Sequence, residues 1–153
     1  KTKFKFKKKY DLIFYLRKHN NKNTDLQVKI AKELSKKFKI LTVGEKINDK
    51  NVKNLGFIER SKLLKYIRKT KFSFLSPENL CSLFAIDCIN SKTNIFFQNN
   101  SKYKNKYLKG VIYLNYSNTY NLIKNIEKNL IKVNFFKIKI NLKKLNTKGY
   151  FKL

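Results

Sequence analysis

Short apolar runs alternate with segments of helical periodicity, and this alternation constrains the fold more than any other feature of the sequence. The runs have the length and composition of buried parallel strands and lie at 10–16, 40–43, 52–55, 72–75, 95–97 and 111–114. Helical spacing of apolar residues occupies 24–38, 61–69, 79–90 and 117–132. Parallel strands need crossovers, and right-handed crossovers place helices on both faces of a sheet. The sequence therefore predicts an α/β fold with a Rossmann-like parallel sheet.

Two local details follow from this pattern. Thr24 with Gln27 three residues later predicts a capping box at the first helix. The helix at 79–90 is predicted to bury one face, formed by Leu80, Leu83, Phe84 and Cys88. The Rossmann-like domain is placed at 10–132, and 133–153 is left as a tail or packing arm.

Composition limits the class of protein. The 153 residues are 42% apolar, which suits one domain with a real core. The net charge of +28 normally indicates a polyanionic partner. The chain is also rich in Asn, Ile, Phe and Tyr, however, which is typical of an AT-rich coding sequence, so codon bias accounts for much of the lysine. Nucleic acid is therefore an unlikely partner.

Cysteines and apolar runs bear on the compartment. Cys81 and Cys88 lie seven apart on a predicted helix, so their Cα atoms are expected about 10 Å apart, too far for a disulfide. His19 is the only histidine, and no zinc ligand set is present. No run is long enough to span a bilayer. A reduced, cytoplasmic location is expected. Because Met is absent at every position, we also expect sequence before Lys1.

The loop after the first strand carries two cations. Arg17 and Lys22 lie five residues apart, directly before a predicted helix N-terminus. In open α/β sheets ligands bind beyond the carboxyl ends of the strands, and helix N-termini favour phosphate. The loop is thus a candidate diphosphate site. A solvated basic loop in a lysine-rich chain is the alternative.

Acidic and polar residues cluster near the fourth strand. Glu78 and Asn79 follow that strand, and Asp87 lies near the apolar face of the next helix, in a chain with only nine acids. One interpretation is a functional site, where acidic groups often have shifted pKa values. Alternatively, Glu78 complements the helix dipole, and Asp87 pairs with a neighbouring lysine.

The order of these motifs resembles the C-terminal half of GT-B-type glycosyltransferases of the glycosyl-transferase group 1 family. The family has an Arg and a Lys at the spacing of Arg17 and Lys22, strands ending in Val-Gly and in V-x-x-L-G-x-I, and then Ser-Pro before a Glu-x7-Glu signature. The matching residues here are Val43-Gly44, Val52 to Ile58 and Ser76-Pro77-Glu78. The resemblance covers about 11–130. Leu16, Asn23 and 79–82 stand where the family has glycines, and the second acid, Asp87, comes one residue late.

The resemblance implies a function and residue roles. It implies transfer of a hexosyl unit from a nucleotide diphosphate sugar to a saccharide or lipid-linked acceptor, with retention and without a metal or other cofactor. Glu78 is then the catalytic residue that approaches the transferred sugar. The donor-binding residues are Arg17 and Lys22 at the diphosphate, Asp87 at the ribose, and Asn79, Leu80 and Ser82 near the phosphates. The acceptor domain is expected outside this sequence.

Two other functions stay open. The missing glycines and the shifted acid agree with a degenerate, non-catalytic relative that keeps the fold. The charge agrees with a basic module that binds RNA or an anionic surface, although no RNA-binding motif is present. Peripheral contact with the inner face of an anionic membrane is a further hypothesis.

Overall fold

The computed structural model describes residues 7–19, 22–76, 82–99 and 110–132. These residues form six strands and four helices, and each helix follows one or two strands. In chain order they are β1 (Tyr10–Leu16), α1 (Thr24–Ser35), β2 (Ile40–Gly44), β3 (Val52–Asn54), α2 (Arg60–Arg68), β4 (Thr70–Phe74), α3 (Leu83–Asn90), β5 (Asn94–Gln98), β6 (Val111–Leu114) and α4 (Thr119–Ile131). In the same residues, no helix combines the length and apolarity needed to cross a membrane.

All six strands join one parallel sheet. The spatial order is β3-β2-β1-β4-β5-β6. The chain first moves outward from β1 to β3 and then returns to build β4, β5 and β6 on the other side of β1. The strand order therefore reverses between β1 and β4, where Leu12 is opposite Phe72 and Phe14 is opposite Phe74. The carboxyl ends of strands at such a reversal open a crevice.

The two faces of the sheet bury separate cores. Leu12 and Phe14 belong to the core on the face covered by α1 and α4, together with Ile30 and Ile126 from those helices. Ile13, which lies between Leu12 and Phe14 in β1, belongs to the core on the opposite face, which α2 and α3 cover. Burial on both sides explains why the central strand β1 is a continuous apolar run from Leu12 to Leu16. The predicted Rossmann-like sheet with helices on both faces is confirmed.

Gly44 ends β2 at a close approach to β1. Its φ is +89°, and a Cβ there would lie 2.1 Å from the carbonyl oxygen of Leu16. The backbone N–H of Gly44 donates to the carbonyl of Gly56 (2.9 Å), and that of Glu45 donates to the carbonyl of Leu16 (3.0 Å). Only glycine combines this dihedral angle with this contact, so the Val-Gly at the end of β2 has a structural reason.

The start of α1 differs from the sequence prediction. Thr24 and Gln27 form no capping box, because α1 is capped at Asn23 without a side-chain hydrogen bond. The predicted box is therefore wrong, and both side chains bond elsewhere, as described below.

The third helix also differs from its prediction. It does not run from 79 to 90, since Ser82 is extended (φ −65°, ψ 148°) and caps a helix that begins at Leu83. Leu83 is 66% exposed rather than buried, because the inward face of α3 is set by Phe84, Ala85 and Cys88. Two further predictions concern Cys81 and the tail at 133–153, which lie outside the described residues.

Candidate functional site

A cleft of about 360 Å³ opens where the strand order reverses, at the carboxyl ends of β1 and β4. We call this the switch-point cleft. It is lined by Tyr15, Arg17, Lys22, Ile58, Arg60, Leu63, Phe74, Leu75, Ser76, Ser82, Leu83, Phe84 and Asp87. These residues come from the ends of β1 and β4, from the loops that follow those strands, and from α2 and α3 with the residues just before them. The cleft therefore lies where the topology of an open α/β sheet favours ligand binding.

The loop from β1 to α1 is held by the two side chains that were predicted to form a capping box. The hydroxyl of Thr24 donates to the carbonyl of Arg17 (2.6 Å), and the amide of Gln27 donates to the carbonyl of Lys22 (2.7 Å). Between them Asn23 adopts a left-handed conformation (φ 45°), which Asn tolerates better than most residues. These bonds fix the backbone from which both predicted phosphate ligands project.

Aromatic rings connect Arg17 to the wall of the cleft. Its guanidinium carbon lies 5.8 Å from the ring centroid of Tyr15. The ring of Tyr15 stacks in turn on Phe84, with centroids 5.2 Å apart. A guanidinium over an aromatic face is weakly attracted to it, so Tyr15 orients a cation that is otherwise exposed.

The N-terminus of α3 faces the same cleft. Ser82 caps it, and its hydroxyl oxygen accepts a hydrogen bond from the N–H of Ala85 (3.2 Å). The N-terminus of a helix carries partial positive charge. Among the described lining residues, Arg17, Lys22 and Arg60 oppose the single carboxylate of Asp87, so three positive charges and one negative charge leave a balance of +2. The electrostatics of the cleft therefore favour an anion.

Asp87 is buried in the cleft wall and is already paired. Its side chain is 5% exposed, whereas that of its partner Arg60 is 60% exposed. The Nε of Arg60 donates to Oδ2 of Asp87 (3.1 Å), and Nη2 donates to Oδ1 (2.7 Å). These hydrogen bonds, followed by the charge of Asp87, raise the pKa of Arg60. The partner of Asp87 is thus an arginine, and not the lysine that the alternative interpretation of the sequence expected.

Sequence reasoning missed Arg60, although one signal pointed to it. Arg60 is the first residue of α2, and the first turn of that helix contains no acid. A cation at a helix N-terminus is disfavoured by the helix dipole. Such a position indicates a compensating partner elsewhere in the chain, and Asp87 is that partner.

The structure brings together four of the predicted site residues. Arg17, Lys22, Ser82 and Asp87 all line the switch-point cleft. Their predicted roles stay predictions. The other three, Glu78, Asn79 and Leu80, lie outside the described residues.

Comparison with known proteins gives a fold but no family. No protein-family model matches the chain, and no curated protein matches it. Among solved structures, a variant of TarM from S. aureus, in complex with fondaparinux, alpha-GlcNAc-glycerol and UDP, superposes with a TM-score of 0.59. It is 18% identical over 82% of this chain and 29% of its own. UDP-GlcNAc 2-epimerase from Methanocaldococcus jannaschii, in complex with UDP-GlcNAc and UDP, also has a TM-score of 0.59, with 13% identity over 94% of this chain and 46% of its own.

AviGT4, a glycosyltransferase involved in avilamycin A biosynthesis, is a third match, with a TM-score of 0.54 and 10% identity over 81% of this chain and 42% of its own. The fold is that of a GT-B half-domain. Identities this low establish the fold alone. The chain spans less than half the length of each of these proteins.

Proposed function

We propose that the chain binds a nucleotide diphosphate sugar in the switch-point cleft, as the donor-binding part of a retaining glycosyltransferase. The acceptor is a saccharide or a lipid-linked saccharide. The single observation that carries the proposal is the position of Arg17 and Lys22 in a cleft at the reversal of strand order, beside the N-terminus of α3. The structures of two neighbours, a TarM variant and UDP-GlcNAc 2-epimerase, are complexes that contain UDP, which agrees with this choice of ligand.

In the proposed reaction, the positive groups of the cleft stabilise the leaving nucleoside diphosphate. Arg17 and Lys22 neutralise the negative charge that grows on it as the bond to the sugar breaks, and the N-terminus of α3 assists them. Glu78 orients the transferred sugar, and no metal or other cofactor takes part. Asn79, Leu80 and Ser82 contribute to phosphate binding.

The distribution of cations gives less support to a nucleic-acid-binding module. Such a module is expected to gather its basic residues on one face. Here exposed or partly exposed cations occur on helices of both faces: Lys29, Lys32, Lys124 and Lys128 on α1 and α4, and Lys62, Lys65 and Arg68 on α2. Exposed cations on both faces of the sheet agree better with codon bias than with one binding surface.

A thermal-shift titration tests the proposal. We expect one of UDP, GDP and their sugars to raise the Tm saturably at about 0.3 M salt, where nonspecific charge attraction is screened. Arg17→Gln should remove most of the response. Lys18→Gln is the matched control, because it removes the same charge from the adjacent exposed residue, which does not line the cleft. No response to any nucleotide at millimolar concentration, or an equal loss in the two variants, would refute the proposal.

A further inference from the structure

Because Arg60 and Asp87 form an ion pair, Arg60 is more accessible to a ligand than Asp87. Both carboxylate oxygens of Asp87 accept hydrogen bonds from Arg60, and the side chain of Asp87 is only 5% exposed. A ribose hydroxyl that donated to Asp87 would have to reach this nearly buried carboxylate and share it with a bidentate, charge-assisted contact, which is among the stronger hydrogen-bonded arrangements in proteins.

Arg60, by contrast, has donors to spare. A guanidinium carries five N–H groups, and the contact with Asp87 uses one on Nε and one on Nη2. The side chain is 60% exposed and lines the switch-point cleft. Its remaining donors are therefore held beside the cleft by the fixed geometry of the pair.

The charge balance of the cleft favours an anion as the partner of these donors. Among the described lining residues, Arg17, Lys22 and Arg60 carry three positive charges against the one carboxylate of Asp87. A phosphate is the fitting occupant, because its oxygens accept from a planar fork of N–H donors.

We propose that Arg60 contacts phosphate oxygens of the ligand and that Asp87 is a positioning residue, which orients Arg60 and does not itself bind the ribose. This inference rests on the proposed function for the identity of the nucleotide, but not for the phosphate contact. It replaces the ribose role that the family resemblance implied for Asp87.

Calorimetric titration with UDP and with inorganic pyrophosphate separates the possibilities. Arg60→Gln should weaken both ligands by about 10-fold or more, because a charge-assisted hydrogen bond is lost. Asp87→Asn should weaken them about 2- to 10-fold, since Arg60 remains but is less fixed. The double variant should bind no more weakly than Arg60→Gln, because the two residues act as one unit. Lys62→Gln is the control, an exposed cation of the same helix that does not line the cleft.

Ribose contact is tested with 2′-deoxy-UDP. We expect the wild-type chain to bind 2′-deoxy-UDP with an affinity within about twofold of its affinity for UDP. In this proposal the 2′-hydroxyl makes no hydrogen bond to Asp87, so its removal costs little. The proposal is overturned if 2′-deoxy-UDP binds about tenfold more weakly or worse while Arg60→Gln binds UDP normally. It is also overturned if Arg60→Gln weakens UDP but not pyrophosphate, since Arg60 would then contact the nucleoside.

The same titrations distinguish failure of this inference from failure of the proposed function. If the wild-type chain binds pyrophosphate but no nucleotide diphosphate, the proposed function fails and the Arg60 contact is judged on pyrophosphate alone. If it binds neither, both are refuted.

Discussion

The ring of Tyr15, near the end of β1, stacks on the ring of Phe84 in α3, with centroids 5.2 Å apart and planes inclined by 21°. This contact fastens the beginning of α3 to a central strand of the sheet. Both rings also line the switch-point cleft, so the packing that holds α3 in place forms part of the cleft wall.

Phe84→Ala should lower the free energy of unfolding by about 3 to 5 kcal/mol, because it leaves a cavity and removes the ring contact. Urea denaturation measures the change. The control is Phe57→Ala, since Phe57 is 74% exposed and its loss should cost less than about 0.5 kcal/mol. Equal costs in the two variants would contradict the packing described.

Gly44→Ala should destabilise the protein by about 3 kcal/mol or more. It combines a strained dihedral angle with a Cβ placed 2.1 Å from a backbone oxygen. At Gly56 the φ is +65° and the nearest atom is Cε of Lys46 at 3.8 Å, so Gly56→Ala should cost only about 1 to 2 kcal/mol. Thermal unfolding of both variants measures which one is destabilised more. A larger destabilisation by Gly56→Ala would contradict the prediction.

Tyr116→Phe should lower the free energy of unfolding by about 1 to 3 kcal/mol. The single proton of the buried Tyr116 hydroxyl is shared between the carbonyls of Leu75 (3.1 Å) and Phe96 (3.2 Å), and its loss leaves these buried acceptors without that donor. Tyr120→Phe, at a residue that is 68% exposed, serves as the control in guanidinium denaturation. An unchanged midpoint for Tyr116→Phe would show that the hydroxyl adds nothing.

Stability should rise with pH above about 8 because of Lys8. Burial lowers the pKa of Lys8 from 10.5 to about 8, although Cys88 opposes the shift. Between these values the unfolded chain binds more protons than the folded one, so folding becomes more favourable as the pH increases. Lys8→Met should flatten the rise in free energy of unfolding between about pH 7.5 and 9.

The comparison of Lys8→Met with the wild type cancels a contribution of opposite sign, because both proteins contain Cys88. Burial raises the pKa of the Cys88 thiol from 9.0 to about 12. Above about pH 9 the unfolded thiol therefore loses its proton while the folded thiol keeps it, and stability falls. If Lys8→Met has the same slope as the wild type over the range below that pH, Lys8 is not the titrating group.

Much of the fold was predictable because both faces of the sheet are buried. β1 and β6 occupy the residues predicted for them, since an apolar run ends where burial ends. Helix starts were less predictable. The hydroxyl of Thr24 meets the carbonyl of Arg17 only after the loop between them has folded, and a capping motif along the chain does not contain that information.

The loop residues of the candidate site could be predicted from the sequence, but the ion pair of Arg60 and Asp87 could not. The topological rule places strand ends together, so Arg17 and Lys22 could be assigned to one cleft. Arg60 and Asp87 are 27 residues apart and meet across two helices. No local spacing records such a contact, and only the odd position of a cation at the start of α2 hints at it.

The exposure of Leu83 and Arg60 affects the residence time of a ligand in the cleft. Both line the cleft, and both keep more than half of their residue or side-chain surface in water. A molecule bound there remains wet on one side, and its attraction to the cations is screened by salt. We expect this chain by itself to release such a molecule quickly, with a residence time that shortens as ionic strength rises.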